Sequence, residues 1–281
     1  MSVYSGTTAL VTGASKGLGA AYARELARRG AHLVLVARSG EALRGVADGI
    51  REEHGARAEA GTVEVETVAL DLAADDGVPR LVAELDRRGR TVDLLVNNAG
   101  AGTVGPFLDS TSERHVTSVE LNVVALMRLT HALGARMAAR GSGGIVNVAS
   151  TAAFQPMPYQ ASYAATKAFV LSLTEALAEE LRGSGVRVMA AHPGATATGF
   201  FDGTTATMDP RFTDRPERVA ARTLDAYAKG AVNSYPGRAS MRATTWAARL
   251  LPRTAVTRAT GRLNRSLGHH RARDLDTPAA T

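Results

Sequence analysis

The sequence predicts an α/β fold, a doubly wound parallel sheet with helices on both faces in three α/β/α layers. Short runs of Val, Leu and Ala of strand length recur along the chain, and each trails into a helical pattern or a loop. A glycine-rich turn joins the first such run to the first helical pattern. Alternation of this kind is the signature of parallel strands joined by crossover helices.

Residues 7 to 13 form the first apolar run, and a helical pattern follows from Leu18 to Arg29. Residues 32 to 37, HLVLVA, read as a second buried strand, with a helix from Glu41 to Glu53. Val65 to Asp71 and Val92 to Val96 continue the strands around a helix at Asp75 to Arg88. A long helix is expected from Ser112 to Ala139, a strand at 144 to 150, a helix from Ser162 to Leu181 and a strand at 186 to 191. Periodicity breaks after Pro193, and residues 194 to 215 suit a loop or short mobile helices over a site. Pro216 opens a helix to Lys229, and Ala231 to Tyr235 form a seventh strand candidate stopped by Pro236 and Gly237.

No second pattern follows, so residues 1 to 237 are expected to be one catalytic domain and 238 to 281 a basic extension. Nine arginines and no acidic residue lie between Arg238 and Arg273; without them 24 basic residues face 27 acidic ones, so the net charge of +6 belongs to the tail. The body therefore offers no reason to expect nucleic acid as a partner. The tail arginines recur largely at helical spacing, with Trp246, Leu250 and Leu251 available for an apolar face until Pro252 interrupts. A basic helix pair on the protein surface is the expected reading, ahead of contact with a membrane surface. Residues 269 to 281 are expected to be disordered, with His269 and His270 as tail residues and not metal ligands.

The chain has no cysteine, which removes disulfides, thiolate catalysis and Cys-based metal sites. No segment reaches the roughly 18 apolar residues of a membrane span, and the first apolar run leads straight into the glycine turn, so a cytoplasmic location is expected.

The turn reads Thr12-Gly13-Ala14-Ser15-Lys16-Gly17-Leu18-Gly19 and runs directly into a helix. Glycines there let the backbone approach a pyrophosphate at the positive helix end, the arrangement of a Rossmann dinucleotide site. The second strand ends Val36-Ala37-Arg38-Ser39, without the Asp or Glu that would accept hydrogen bonds from the ribose hydroxyls of NAD. Arg38 and Lys16 suit a 2′-phosphate instead, so NADP(H) is the expected cofactor; the alternative makes them ordinary solvated charges. Asp71 and Leu72 end the third strand, and Asn97, Asn98, Ala99 and Gly100 end the fourth, at the edge where such sheets bind ligands. Asp71 is read either as an adenine contact or as a cap for the following segment, and Asn97 as satisfying backbone groups between strands.

Ser150 ends the fifth strand, and Tyr163 and Lys167 lie four apart in the next helix, on one face. A lysine ammonium favours the phenolate and brings tyrosine toward proton transfer near neutrality. Tyr163 would give a proton to the alkoxide formed by hydride transfer, Ser150 would hold the carbonyl oxygen, and Lys167 would tune the tyrosine and grip the nicotinamide ribose.

With these pieces together the sequence resembles the short-chain dehydrogenase/reductases over roughly residues 6 to 237. The motifs are TGASKGLG at 12 to 19, Asp71, NNAG at 97 to 100, Asn122, Ser150, YAATK at 163 to 167, and Pro193-Gly194 followed by Thr198. The resemblance implies a catalytic tetrad of Asn122, Ser150, Tyr163 and Lys167, with Asn122 in a locally distorted helix holding a water that links the lysine to solvent. It implies that Pro193, Gly194, Thr196 and Thr198 lie along the nicotinamide and pyrophosphate. Lys16 and Arg38 match positions where NADP-preferring members carry basic residues. It also implies a homodimer or homotetramer through helices corresponding to 112 to 139 and 160 to 183. His192 departs from the smaller residue common at that position, and the arginine-rich extension is longer than the family minimum.

Phe154, Met157, Tyr159, Phe200, Phe201 and Met208 are apolar candidates for a substrate cleft, and no arginine between Ala195 and Pro210 would clamp a carboxylate. NADPH-dependent reduction of an apolar ketone or aldehyde is therefore the expected activity. NADP-dependent oxidation of a secondary alcohol or hydroxysteroid, and a non-enzymatic cofactor-sensing or scaffold role, are the rivals.

Overall fold

A computed structural model describes residues 2–55, 63–208, 211 and 213–275. Seven strands form one parallel sheet in the order β3-β2-β1-β4-β5-β6-β7: β1 Thr8–Thr12, β2 His32–Ala37, β3 Val65–Ala69, β4 Leu94–Asn97, β5 Gly143–Val148, β6 Val186–Ala191 and β7 Asn233–Ser234. The helices between them are α1 Gly17–Arg28, α2 Gly40–Gly55, α3 Gly77–Arg87, α4 Ser112–Val119, α5 Leu126–Arg140, α6 Ala161–Glu180 and α7 Pro216–Ala228. The expected doubly wound α/β/α architecture is the one found.

The strand runs carry apolar residues continuously because both sheet faces are covered. Leu33 and Leu35 face one layer with Leu26 and Ile50, while Leu10, Val34 and Leu95 face the other with Leu81 and Leu129. Local signals set several ends: Pro216 opens α7 at its first turn, and α5 stops at Gly141 in the left-handed region, φ 71°. The seventh strand is shorter than expected, two residues within the predicted five.

The long helix expected from 112 to 139 is interrupted by a π turn at Glu120–Ala125, between α4 and α5. A π turn adds a residue to the helical repeat and changes the direction in which its side chains project, which carries Asn122 inward.

The strand order reverses between β1 and β4, so the crevice for a ligand opens where the chain leaves these two strands. Thr12 holds its floor. Its hydroxyl oxygen accepts from the amides of Asn98 and Ala99 at 3.0 and 2.9 Å, and Asn98 Nδ2 donates back to the Thr12 carbonyl at 3.0 Å.

The basic extension forms the expected helix pair, α8 Ala239–Leu250 and α9 Arg253–Ser266, split at Pro252. Leu251 is extended before that proline, as steric clash requires. Part of the segment expected to be disordered is ordered: His269–Arg271 make a 3-10 turn, and Asp274 bridges antiparallel to Thr204. The physical reason is that its backbone finds partners on the body, Arg273 N donating to Thr205 Oγ1 at 2.9 Å and Leu275 N to the Gly203 carbonyl at 3.1 Å. Residues 276–281 of that expected segment lie outside the described residues. Among the described residues no helix is long and apolar enough to cross a membrane.

Leu10 is fully buried at the centre of the sheet, whereas Leu250 is 81% exposed on α8. Leu10→Ala is expected to cost about 2–5 kcal/mol in urea unfolding, and Leu250→Ala less than about 0.5 kcal/mol.

Candidate functional site

The glycine turn leads from β1 into α1, whose first turn carries no acidic side chain and whose Lys16 cap position makes no side-chain bond to the helix. The leading amides of α1 are thus left for an external acceptor, and the helix dipole favours an anion there. Gly19 is required by close approach: a Cβ on it would stand 2.1 Å from the Gly13 carbonyl oxygen and 2.6 Å from Asn98 Nδ2. Gly13, Ser15, Lys16, Gly17, Leu18 and Gly19 all lie in or beside this turn, and Thr198 packs against Gly17 from the far side of the crevice.

The two cations proposed from sequence are placed differently. Arg38 is exposed just past β2 and has no hydrogen-bond or ion-pair partner among the described residues. Lys16 is engaged across the crevice mouth, Nζ lying 2.8 Å from Asp202 Oδ2 and 3.2 Å from the Gly199 carbonyl. Both side chains of that pair are 65% exposed, so solvent and salt leave it weak. Asp71 accepts from the Ala73 amide at 3.0 Å, fixing the turn after β3 beside Leu72. Asn97 departs from expectation. It serves side chains and not strand backbones, donating to Thr130 Oγ1 and Asn147 Oδ1, both at 2.9 Å, in a buried polar ladder that Asn147 extends to Thr174.

Ser150 follows β5 with extended backbone and caps the 3-10 turn Thr151–Phe154, accepting from the Ala152 amide at 3.1 Å. Tyr163 and Lys167 project from α6 toward the same strand end. Lys167 is buried, donates to the Val148 carbonyl at 2.8 Å, and lies 5.9 Å from the centre of the Tyr163 ring. Desolvation lowers its pKa from 10.5 to about 8. The downward shift expected for Tyr163 is not what the geometry produces. Burial raises the phenol above its ordinary value, and only the Ser150 hydroxyl, within hydrogen-bonding reach, pulls it down. Taking the phenolate out of water outweighs that single bond.

Asn122 sits in the π turn, fully buried. Its Oδ1 accepts from the Ala101 amide at 2.8 Å, and Nδ2 lies 2.9 Å from the Ala101 carbonyl, 3.2 Å from Ser118 Oγ and 3.0 Å from Thr166 Oγ1. Gly100 lies between Asn122 and Lys167: a Cβ there would meet Asn122 Oδ1 at 3.0 Å and Lys167 Nζ at 3.6 Å. Ser118 and Thr166 escaped sequence reading because a helical hydroxyl is unremarkable alone; their spacing to Asn122 and Lys167 was the available signal.

Pro193, Gly194, Thr196 and Thr198 continue from β6 along the crevice. The Pro193 carbonyl accepts from the Thr151 amide at 3.0 Å, and Thr196 bridges to Asp214. His192, buried before them, approaches Asn233 Oδ1 with Nε2 at 2.7 Å, and burial lowers its pKa to about 4. Its neutral ring packs against Phe154 and Tyr235, with centroids 4.9 and 5.0 Å away. Phe154 therefore belongs to this packed cluster, an outcome its apolar character could not distinguish from cleft lining. Phe200, by contrast, meets the Tyr163 ring edge-on at 5.2 Å and closes on Gly102. Phe201 stands beside Phe200 and reaches His269 of the tail at 6.2 Å. His269 is itself buried, and the described residues contain no cluster of three metal-ligating side chains.

A doubly wound sheet, a glycine turn feeding an uncapped helix at the switch point, and a Ser, Tyr and Lys gathered at the next strand end define an α/β protein of the dinucleotide-binding type. The chain belongs to the short chain dehydrogenase family, whose model matches residues 7–209. It is 34% identical over 200 residues to the very-long-chain 3-oxoacyl-CoA reductase of Mus musculus, covering 69% of this chain and 60% of that protein. The chain thus spans about 60% of the length of the first curated relatives it matches. Among solved structures, a short-chain dehydrogenase from Sphingobium yanoikuyae in complex with NADPH is 34% identical with a TM-score of 0.75, covering 86% of this chain and 92% of that one. A bulky-bulky ketone specific alcohol dehydrogenase from Comamonas testosteroni is 33% identical with a TM-score of 0.73 over the same shares, 86% and 92%.

Lys167 binds fewer protons in the folded than in the unfolded chain between pH 8 and 10.5, so its contribution makes stability rise with pH across that window, while below 8 the burial penalty is complete. Urea unfolding of the native protein and Lys167→Met at about pH 7.5 and about pH 10 checks this: the native protein should gain on the variant at the higher pH.

Proposed function

We propose that this protein is an NADP(H)-dependent reductase of apolar ketones and aldehydes, with Asn122, Ser150, Tyr163 and Lys167 as its catalytic set. The observation that carries the reading is the convergence of Ser150, Tyr163 and Lys167 at the carboxyl end of β5, beside the crevice that the uncapped α1 faces.

The residues present fit a dinucleotide. The free leading amides of α1 suit its pyrophosphate, and the absence of a Cβ at Gly19 keeps the turn closed. Arg38, without a partner among the described residues at the end of β2, suits a 2′-phosphate, and the NADPH complex of the Sphingobium relative supports that choice. Lys16 joins it once it exchanges the exposed Asp202 for the phosphate. Ser15, Gly17, Leu18, Leu72, Asn98, Ala99, Gly100, Pro193, Gly194, Thr196 and Thr198 complete the binding surface, on the family resemblance. When bound, the nicotinamide supplies the hydride.

The protein's own work is orientation and proton supply. Ser150 Oγ holds the substrate oxygen where charge develops, and Tyr163 Oη gives it a proton as the alkoxide forms. The raised phenol pKa keeps Tyr163 protonated, the form that reduction needs. Lys167 stays largely cationic near neutrality and stabilises the phenolate left behind. Asn122 holds the Ala101 loop against α6 so that this site stays assembled.

The Phe200 and Phe201 surface beside Tyr163 favours an apolar substrate, as do the activities named for the mouse and Comamonas relatives. NADPH oxidation followed at 340 nm against a graded panel of ketones and aldehydes tests the reading. Tyr163→Phe should lose about 10²–10⁴-fold in kcat with cofactor affinity retained; an unchanged rate removes the proton donor from the scheme. Arg38→Ala should weaken NADPH about tenfold or more and leave NADH unchanged, measured by cofactor titration of each protein.

A further inference from the structure

The ordered C-terminal segment crosses the three loops that surround Tyr163. Asn264 Nδ2 donates to the Pro158 carbonyl at 2.7 Å, in the loop after β5. His269 meets Phe201 and Asp274 bridges Thr204, in the loop after β6. The Ala272 carbonyl closes on Gly105, in the loop after β4, where a Cβ would stand only 2.5 Å away. These three loops are themselves joined below the crossing, Gly105 N donating to the Tyr159 carbonyl at 2.9 Å and Phe200 closing on Gly102.

One ion pair secures the crossing. Asp274 has only 4% of its side chain exposed, accepts from Ser110 Oγ, and lies 3.0 Å from Arg114 Nη1 on α4. Arg114 Nη1 also donates to the Gly203 carbonyl at 3.3 Å, so the same guanidinium grips the tail and the loop that carries Phe200. A buried carboxylate stripped of the cation that faces it is strongly unfavourable, so the crossing holds or opens with this contact. The remaining fastenings described are the Asn264 bond to Pro158, the His269 ring against Phe201 and bonds of Arg273 and Leu275 to Thr205 and Gly203, and Leu275 beyond the pair is 59% exposed. Such a segment belongs to the part of a fold that opens locally without global unfolding.

We propose that residues 264 to 275 form a strap whose Arg114–Asp274 pair sets the size of substrate that reaches Tyr163, an inference that rests on the reductase reading above. A small ketone fits beneath the closed strap, and a bulky one must lift it and pays for the broken ion pair. Neither Arg114 nor Asp274 touches the reacting groups; both act by positioning the strap.

The test uses full-length protein with Asp274→Asn, Arg114→Gln and the charge-reversed double variant Arg114→Asp with Asp274→Arg. Each is assayed with NADPH against a short methyl ketone and a diaryl ketone. The single variants should raise the ratio of diaryl to methyl-ketone kcat/KM roughly tenfold or more, with the methyl ketone little changed, and the double variant should move the ratio back toward the native value. Limited trypsin digestion, read by mass spectrometry, should show faster cleavage after the exposed Arg271 and Arg273 in the single variants than in the native or double-variant protein. A ratio unmoved while cleavage accelerates overturns the selectivity role, and equal loss on both ketones does the same, marking a general structural effect. Cleavage that does not accelerate overturns the latch. Native protein that reduces no ketone overturns the selectivity together with the reductase reading, and the trypsin result then shows separately whether the latch itself stands.

Discussion

The clasp between Thr12 and Asn98 is the contact on which the rest of the site depends. Two parallel strands that begin side by side must part where their chains turn to opposite faces of the sheet, and nothing in the ladder holds the backbone beyond that point. Thr12 takes two amides from the β4 side with one oxygen, and Asn98 returns its amide to the β1 carbonyl. The parting strands are thereby fixed at a set separation, and the glycine turn and the Asn98-Ala99-Gly100 segment become opposite walls of one crevice. Gly19 can pass beneath because it brings no Cβ into a gap that the Gly13 carbonyl and the Asn98 amide already fill.

From those walls the polar network continues inward without a break. Asn122, turned in by the π turn, ties the Ala101 backbone to Thr166, the neighbour of Lys167 on α6. Lys167 is then anchored on β5 through the Val148 carbonyl, next to Ser150. Each polar group of this network finds a partner, which is why a lysine and an asparagine can lie inside an otherwise apolar layer. Burial shifts both titrating groups away from the charged form, Tyr163 upward and Lys167 downward. Tyr163 is thus held in its protonated form at rest, the form that the reducing direction proposed for it starts from.

The tail changes how the substrate side must be understood. Its arginines dominate the formal charge, and those of α8 also meet the body, Arg242 over Tyr235 and Arg249 over Phe154, while farther along Gly261 and Asn264 sit against Pro158, His269 against Phe201, and Asp274 at the loop edge. Basic side chains therefore help seat the first part of the extension, while small and polar residues seat its later part on the loops. Phe154 shows the same division from within: its ring, indistinguishable by type from Phe200, is taken up by His192, Tyr235 and Arg249.

The sequence by itself determined the doubly wound sheet and the glycine turn, and it singled out Asn122, Ser150, Tyr163 and Lys167 as the residues proposed for catalysis. Those features rest on local periodicity, on backbone space that only glycine leaves, and on residue types spaced along single elements or matched to a family motif. Only the tertiary structure decided that Asn97 serves a side-chain ladder, that Lys16 meets Asp202 across the crevice, and that Tyr163 is raised by burial. It alone brought Asp274 to Arg114, 160 positions earlier in the chain. Pairings over such separations leave no period and no fixed spacing to read, because they are set by how loops from different strands meet once the sheet has placed them.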